Sequence, residues 1–206
     1  MLKEKIVKKF YKDLGGHGFD HVERVHRMAL NIAKKEDANL RIVDAAAWLH
    51  DIAHVREDEG KCACHAQEGA KIARKILKRM NFPESEIKAI GHAISVHRFS
   101  KGKKAKTKEA EILQDADRLD ALGAICIARV CMYYGYRGKP LYEPKRKPKK
   151  YYHGQKTNAI NHFYEKILKI KPETFHTETA RKIARKRYSF IRQFLRKFKA
   201  EWKGKD

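Results

Sequence analysis

The sequence predicts an all-α protein, a helical bundle built as one domain over residues 1–206. Apolar residues recur at steps of three and four in successive stretches, Ile87, Ile90 and Ile94 in one and Ala180, Ile183, Ala184, Ile191, Leu195 and Phe198 in another. That spacing gives a helix of 3.6 residues per turn one apolar stripe. No stretch alternates as a half-buried strand would, and no internal repeat competes. The chain is long enough to bury one core without division.

Residues 2–14 read as a short basic helix stopped by Gly15-Gly16. Asp20 and Glu23 then have capping-box spacing, which puts His21 at the first position of a helix. Its buried side carries His21, Val25, Met28 and Ile32, with His26 about 140° away. The third helix runs from about Leu40 to His54. In it five apolar residues, Ala45 to Leu49, lead straight into His50-Asp51, and His54 follows one turn beyond His50. A polar turn, Glu57 to Gly60, precedes a helix opened by His65, whose core side is Ala70, Ile72, Ala73, Ile76, Leu77 and Met80. Asn81-Phe82-Pro83-Glu84 ends it and starts the next, with Pro83 in the first turn. There His97 falls within about 80° of the isoleucine stripe and faces inward, while His92 lies opposite and faces water.

A lysine-rich loop, Ser100 to Lys108, carries Lys104. The sixth helix is expected from Lys108 to about Met132, with Asp117 on a strip of Ala110, Leu113, Ala121, Ala124 and Ala128. Small residues let neighbouring helices approach. Asp115 points to the far side, and Asp120, about 60° from Asp117, flanks the same site. The core thus spans about 17–132. An irregular segment, 133–156, interleaves tyrosines with lysines and arginines, as a nucleic-acid surface, a lid over a nucleotide or a mobile loop would. Helices over 157–203 close the chain, the last capped by Thr177.

The formal charge of +23, from 48 Lys and Arg against 25 Asp and Glu, attracts polyanions without choosing among them. A heat-adapted surface would bring Glu along with Lys, and here the acids lag. Cys62, Cys64, Cys126 and Cys131 lack the spacing of a zinc ribbon or a disulfide framework. No apolar run approaches the ~20 residues of a membrane span, so a soluble cytoplasmic protein is expected.

The chemistry centres on His50-Asp51. A carboxylate in so apolar a run needs a cation or a set of donors, since burying it alone costs several kcal/mol or forces a proton onto it. Imidazole and carboxylate together are ordinary ligands of a divalent metal of middling softness. The dyad alone leaves open the plainer alternative that the two residues bond each other and nearby backbone.

His21, His50-Asp51 and Asp117, on three separate predicted helices, resemble the motif of the HD-domain metal-dependent phosphohydrolases. The segment Trp48 to His54, the helix opening at His65, the Ile-x-x-His pattern ending at His97, Gln114 to Gly123 and Asn161 to Lys166 are similar to a small single-domain branch of that family. The resemblance implies a single HD-type domain with His21, His50, Asp51 and Asp117 as metal ligands. Asp117 matches rather than Asp115 because the family's last ligand precedes Arg-Leu, here Arg118-Leu119. His54 resembles the second histidine of an extended His-Asp-x-Gly-His motif, although Ala53 replaces the glycine. His65 and His97 resemble histidines that contact substrate phosphate or hold a second metal in related enzymes.

The implied function is hydrolysis of a nucleotide phosphate ester or anhydride by metal-activated water, with a nucleoside triphosphate or related compound as substrate. His54, His65 and His97 are the expected catalytic groups, and Arg118, Asp120 and Lys104 the expected substrate contacts. Manganese, iron, cobalt or nickel fit such mixed ligation best, ahead of magnesium and zinc, and a second metal is left open. The rival reading is an RNA-binding protein or RNA-directed phosphodiesterase that uses the same site with the basic, aromatic loop and last helix. No membrane partner is expected, and oligomeric state is undetermined by the sequence.

Overall fold

A computed structural model of the chain describes residues 8, 10, 11, 18–150 and 157–205, with backbone only at 100. The expected basic helix over 2–14, with its Gly15-Gly16 stop, and Tyr151 and Tyr152 of the loop lie outside the described residues, apart from positions 8, 10 and 11. The regular elements among the described residues are all helical. They are α1 (Phe19–Lys35), α2 (Leu40–Leu49), α3 (His54–Asp58), α4 (His65–Arg79), α5 (Glu84–Val96), α6 (Lys108–Asp120), α7 (Ala124–Tyr136), α8 (Ala159–Glu165) and α9 (Glu178–Glu201), with short 3-10 turns at Phe99–Lys101, Ile167–Lys169 and Pro172–Thr174. The chain divides into two compact units, residues 1–118 and 119–206, and the division falls inside α6.

In the first unit α1 packs on α2, α2 on α5, and α4 on α5. Val25 and Ile32 of α1 are fully buried as the periodicity requires, Met28 of the same expected stripe is half-buried, and Val22, Ala29, Val43, Leu49, Leu77, Ile90 and Ile94 are also fully buried. Each valine, leucine or isoleucine among them removed from water contributes about 1.5–3 kcal/mol. The start of α1 differs from expectation. Gly18 caps it without a side-chain bond, and Asp20 pairs with Arg24 one turn on (2.6 Å) instead of closing a capping box. Pro83 sits at the N-cap of α5.

Two expected helices are each two. The third ends at Leu49, five residues before His54: Ile52 N–H donates to Leu49 O (3.3 Å) and His54 N–H to Asp51 O (2.8 Å), so the chain turns through the dyad and restarts as α3. The sixth breaks at Ala121–Gly123. Gly123 takes φ +85, a conformation that favours glycine, and a Cβ there would meet Arg187 at 3.1 Å. Ala124 and Ala128, expected on the Asp117 strip, are therefore exposed residues of α7.

In the second unit α7 continues through Gly135 to Tyr136, so the irregular segment starts at Arg137 rather than Tyr133. A helical glycine costs only about 1 kcal/mol, and Tyr134 anchors that last turn at 2% exposure. Residues 137–150 are held to α8 by backbone bonds from Ala159 to Pro140 O and Ile160 to Leu141 O (both 3.1 Å), and by Lys149 N–H to the Glu165 carboxylate (2.9 Å). Thr177 caps α9 as expected, accepting from Ala180 N–H (3.2 Å).

Candidate metal centre

His21, from the first turn of α1, and His50, just past the end of α2, bring their Nε2 atoms to 3.4 Å of each other. Asp51 Oδ2 stands 3.7 Å from both, and Asp117 Oδ1, from the last turns of α6, is 3.4 Å from His21 Nε2. His21, His50 and Asp51 are at most 4% exposed, Asp117 26%. Two ligands of one divalent ion at ~2.1 Å, set at right to tetrahedral angles, stand about 3.0–3.4 Å apart, so the donor atoms are at or slightly beyond that spacing.

The donor chemistry fits a cation as well. His50 Nδ1–H donates to Ala47 O (2.8 Å), which leaves the Nε2 lone pair facing the group. Burial pushes His50 down to about 4, so its ring is neutral at neutral pH. For Asp117 burial works upward, but the bond from His21 and the neighbouring imidazoles outweigh it and hold the carboxyl at about 2. The neutral lone pair of His50 and the ionised oxygens of Asp117 thus belong to one group, a donor set that suits a divalent ion, with the His21 proton that bonds Asp117 given up when the ion binds.

Asp51 is shared with a second group. Its Oδ1 is 3.2 Å from His65 Nε2 and 3.2 Å from His97 Nε2, and those two nitrogens are 3.3 Å apart. His97 repeats the device used by His50. It follows the end of α5, and its Nδ1–H donates to Ile94 O (2.7 Å), turning Nε2 inward. Both rings thus satisfy a carbonyl in the last turn of their own helix, and the negative ends of two helix dipoles lie beside the site. Each triad, His21–His50–Asp51 and Asp51–His65–His97, has donor atoms within 4.8 Å of one another and is a group that could hold a metal ion.

Glu57 was read from the sequence as part of a polar turn, and Arg98 was not singled out. In the structure the Glu57 carboxylate accepts from His65 Nδ1 (2.5 Å), His65 N–H (2.7 Å) and Arg98 Nη1 (2.9 and 3.0 Å). Partial burial raises its pKa, but these donors more than reverse that, lowering it from 4.5 to about 2. No local periodicity links Glu57 to His65, because the backbone between α3 and α4 is irregular. A depressed folded pKa stabilises the protein above the unfolded value near 4.5, and the contribution is lost as pH falls toward 2. Glu57→Gln is expected to cost about 2 kcal/mol at neutral pH, allowing for the partial exposure of the site. In chelator the wild-type melting temperature should fall more steeply between pH 4.5 and 2 than that of the variant. Parallel curves would show that the carboxylate charge is not what holds His65.

The other expected site residues are placed as follows. His54 opens α3, pairs with Asp58 (3.0 Å) and sets its ring centroid 4.9 Å from that of His65. Arg118 is 5% exposed, lies 3.8 Å from Asp115 and holds its guanidinium 3.7 Å from the Phe99 ring centroid. Asp120 accepts from Arg129 (2.5 Å). Lys104 is exposed. His92 is half-buried rather than open to water, its Nε2 accepting from Lys106 N–H (3.1 Å). His26, off the His21 face, joins Asp44 (2.7 Å) and stacks on Trp48 (4.1 Å).

An all-α fold with a buried His/Asp centre of this order is that of a hydrolase built on the HD domain, and residues 18–122 match the model of the HD domain family. The chain belongs to that family. An HD-superfamily hydrolase from Bacillus thuringiensis is 34% identical over 97% of this chain and 94% of its own, with a TM-score of 0.78. The Bacillus subtilis protein YpgQ is 33% identical by sequence, over 93% of this chain and 87% of its own length. A crystal structure of YpgQ in complex with ADP superposes with a TM-score of 0.74 at 27% identity, covering 97% of each chain. HD domains bind divalent metals, and the His/Asp groups described above are where this chain could hold one.

Proposed function

We propose that the protein is a metal-dependent phosphohydrolase that cleaves a nucleotide phosphate ester or anhydride, a nucleoside triphosphate or a close relative. The observation that carries this reading is the position of Asp51, whose two oxygens face two pairs of buried imidazoles. The ADP complex of YpgQ supports a nucleotide as the substrate class. His21, His50, Asp51 and Asp117 would hold the ion, and their mixed nitrogen and oxygen ligation suits manganese, iron, cobalt or nickel. When bound, a divalent ion supplies electrophilic polarisation of a phosphoryl oxygen and acidifies water.

The chain's own groups supply the rest. Burial lowers the pKa of His65, but the bond to Asp51 and the carboxylate charges outweigh it and raise the pKa above the usual value. Held by Glu57, this imidazole can give a proton to a leaving oxygen near neutral pH. His97 Nε2, fixed by Ile94 O, orients a non-bridging oxygen beside it. His54 stands against the outer face of His65, Lys104 contributes positive charge that draws phosphate in, and Arg118 and Asp120 are secondary contacts. A second reading of His65 and His97 rests on their spacing: with Asp51 Oδ1 they form a three-donor set that suits a second ion bridged by Asp51. A nucleotide hydrolase belongs with the soluble nucleotide pool, so the cytoplasm is the compartment proposed.

The test is elemental analysis of the purified protein, then a screen of nucleoside di- and triphosphates with manganese. One bound ion per chain fits the four-ligand centre, and two fit the bridged one. Turnover lost in chelator and restored by manganese is the expected result. Absence of stoichiometric metal, or cleavage of RNA with no nucleotide turned over, would overturn the nucleotide reading.

A further inference from the structure

The positive charge is not spread evenly. Residues 119–206 hold 23 Lys and Arg against 7 Asp and Glu, which is +16 of the chain's +23. Both metal-ligating triads described above are drawn from residues 1–118, so none of their members belongs to this basic unit.

Within the second unit the charge has an organised focus on α9. Arg185, Ser189, Arg192 and Arg196 recur at steps of four, three and four, which confines them to about 60° of helix circumference over three turns. All four are exposed, and with Lys171, Tyr188 and Gln193 they line an open groove of about 810 Å³. Glu173 is the single acid on its wall. Among the described residues Arg185 shares Glu178 with Arg181, at 3.6 Å and 2.9 Å, while no carboxylate lies within ion-pair distance of Arg192 or Arg196. Elsewhere the surface arginines Arg24, Arg27, Arg41 and Arg74 each have an acidic partner. Guanidiniums aligned with few acids to neutralise them repel one another, so the stripe is relieved by an extended anion.

The composition of the stripe selects among polyanions. A helix that lies on an anionic membrane sets Trp, Phe or Leu beside its basic residues. Here the exposed aromatics of α9, Phe190 and the C-capping Trp202, fall well off the stripe, at about 140° and 100° from Arg185. The groove instead places Tyr188, tethered through its hydroxyl to Leu168 O (3.1 Å), with Ser189 and Gln193 among the arginines. A ring for stacking, planar cations for phosphates and uncharged donors for sugars are the components of a single-strand nucleic-acid track.

We propose that the α9 groove, built without any residue of the metal-ligating triads, is a second binding site that takes the phosphodiester backbone of single-stranded RNA or DNA. It does not depend on the nucleotide-hydrolase reading. The test is fluorescence anisotropy of a labelled oligouridylate with the full chain across a salt series. R192E/R196E is expected to weaken binding tenfold or more and to flatten the plot of log affinity against log salt by roughly 1.4, from two lost phosphate contacts. K34E/K35E, an exposed pair on α1 with the same charge change, should stay within twofold of wild type. Nucleotide turnover should be unchanged in both. Equal weakening by the two variants would reduce the effect to net charge and overturn the site. So would unaltered RNA binding by R192E/R196E, or binding to anionic vesicles with none to RNA.

Discussion

Asp51→Asn should abolish retained metal and lower turnover by about 10³-fold or more, roughly 4 kcal/mol of barrier, while changing the stability of the metal-free protein by about 1 kcal/mol or less. The two effects differ in size for one reason. Asp51 is 4% exposed and faces His21 and His50 through one oxygen, His65 and His97 through the other. No other residue belongs to both triads. With an ion present its charge is compensated. Without one, the carboxylate is held out of water with the neutral His50 at one oxygen and is offset at the other by His65, whose pKa it raises. Asparagine keeps the shape and loses the charge, so relief of the burial cost and loss of the His65 bond oppose each other and leave a net change of about 1 kcal/mol or less in the apoprotein. Elemental analysis, turnover with added manganese and melting in chelator read the three quantities separately. A variant that keeps its metal, or one that loses activity only because it no longer folds, would place the centre elsewhere.

Much of this site could be read from the sequence because its parts are set by helical phase. His21 and His97 share a face with apolar residues of their helices in the sequence and are buried, and His65 stands, as expected, at the start of its helix. What escaped was the behaviour of the backbone where helices stop. A run such as Ala45 to Leu49 predicts continuation, and nothing in it signals that tight turns take over at His50. That turn carries Asp51 between two pairs of histidines, a placement an unbroken helix would not give. Gly123 is the same case with a visible cause, a glycine whose positive φ ends α6 and detaches Ala124 and Ala128 from the Asp117 face. Glu57 was illegible for another reason. It acts through a bond to a residue eight positions away, across a stretch without periodicity, where its neighbours Asp58 and Glu59 look identical in sequence.

Asp115 and Asp117, two residues apart on α6, should fail in opposite ways. Asp115 is fully buried and lies 3.8 Å from Arg118, which is itself 5% exposed. Burial pulls the Arg118 pKa down, against the carboxylates of Asp115 and Asp117, but only to about 10, so the guanidinium stays charged at neutral pH. Asp115→Ala removes one half of a buried ion pair and leaves that charge enclosed, a change that costs about 3–5 kcal/mol. For a chain of this size that corresponds to a melting temperature lower by roughly 6–15 °C. Metal content and turnover per folded molecule should survive. Asp117 has the reverse profile. Its side chain is about a quarter exposed, it lies 3.4 Å from His21 Nε2, and its low pKa comes from imidazoles rather than from a lysine or arginine. Asp117→Ala should therefore melt within a few degrees of wild type in chelator, yet lose metal and activity together. The comparison is made on one helix with the same substitution, so differences in chain context nearly cancel. If Asp115→Ala emptied the centre while Asp117→Ala kept it, the fourth ligand would have to be reassigned and the phase inferred for α6 would be wrong by about 160°.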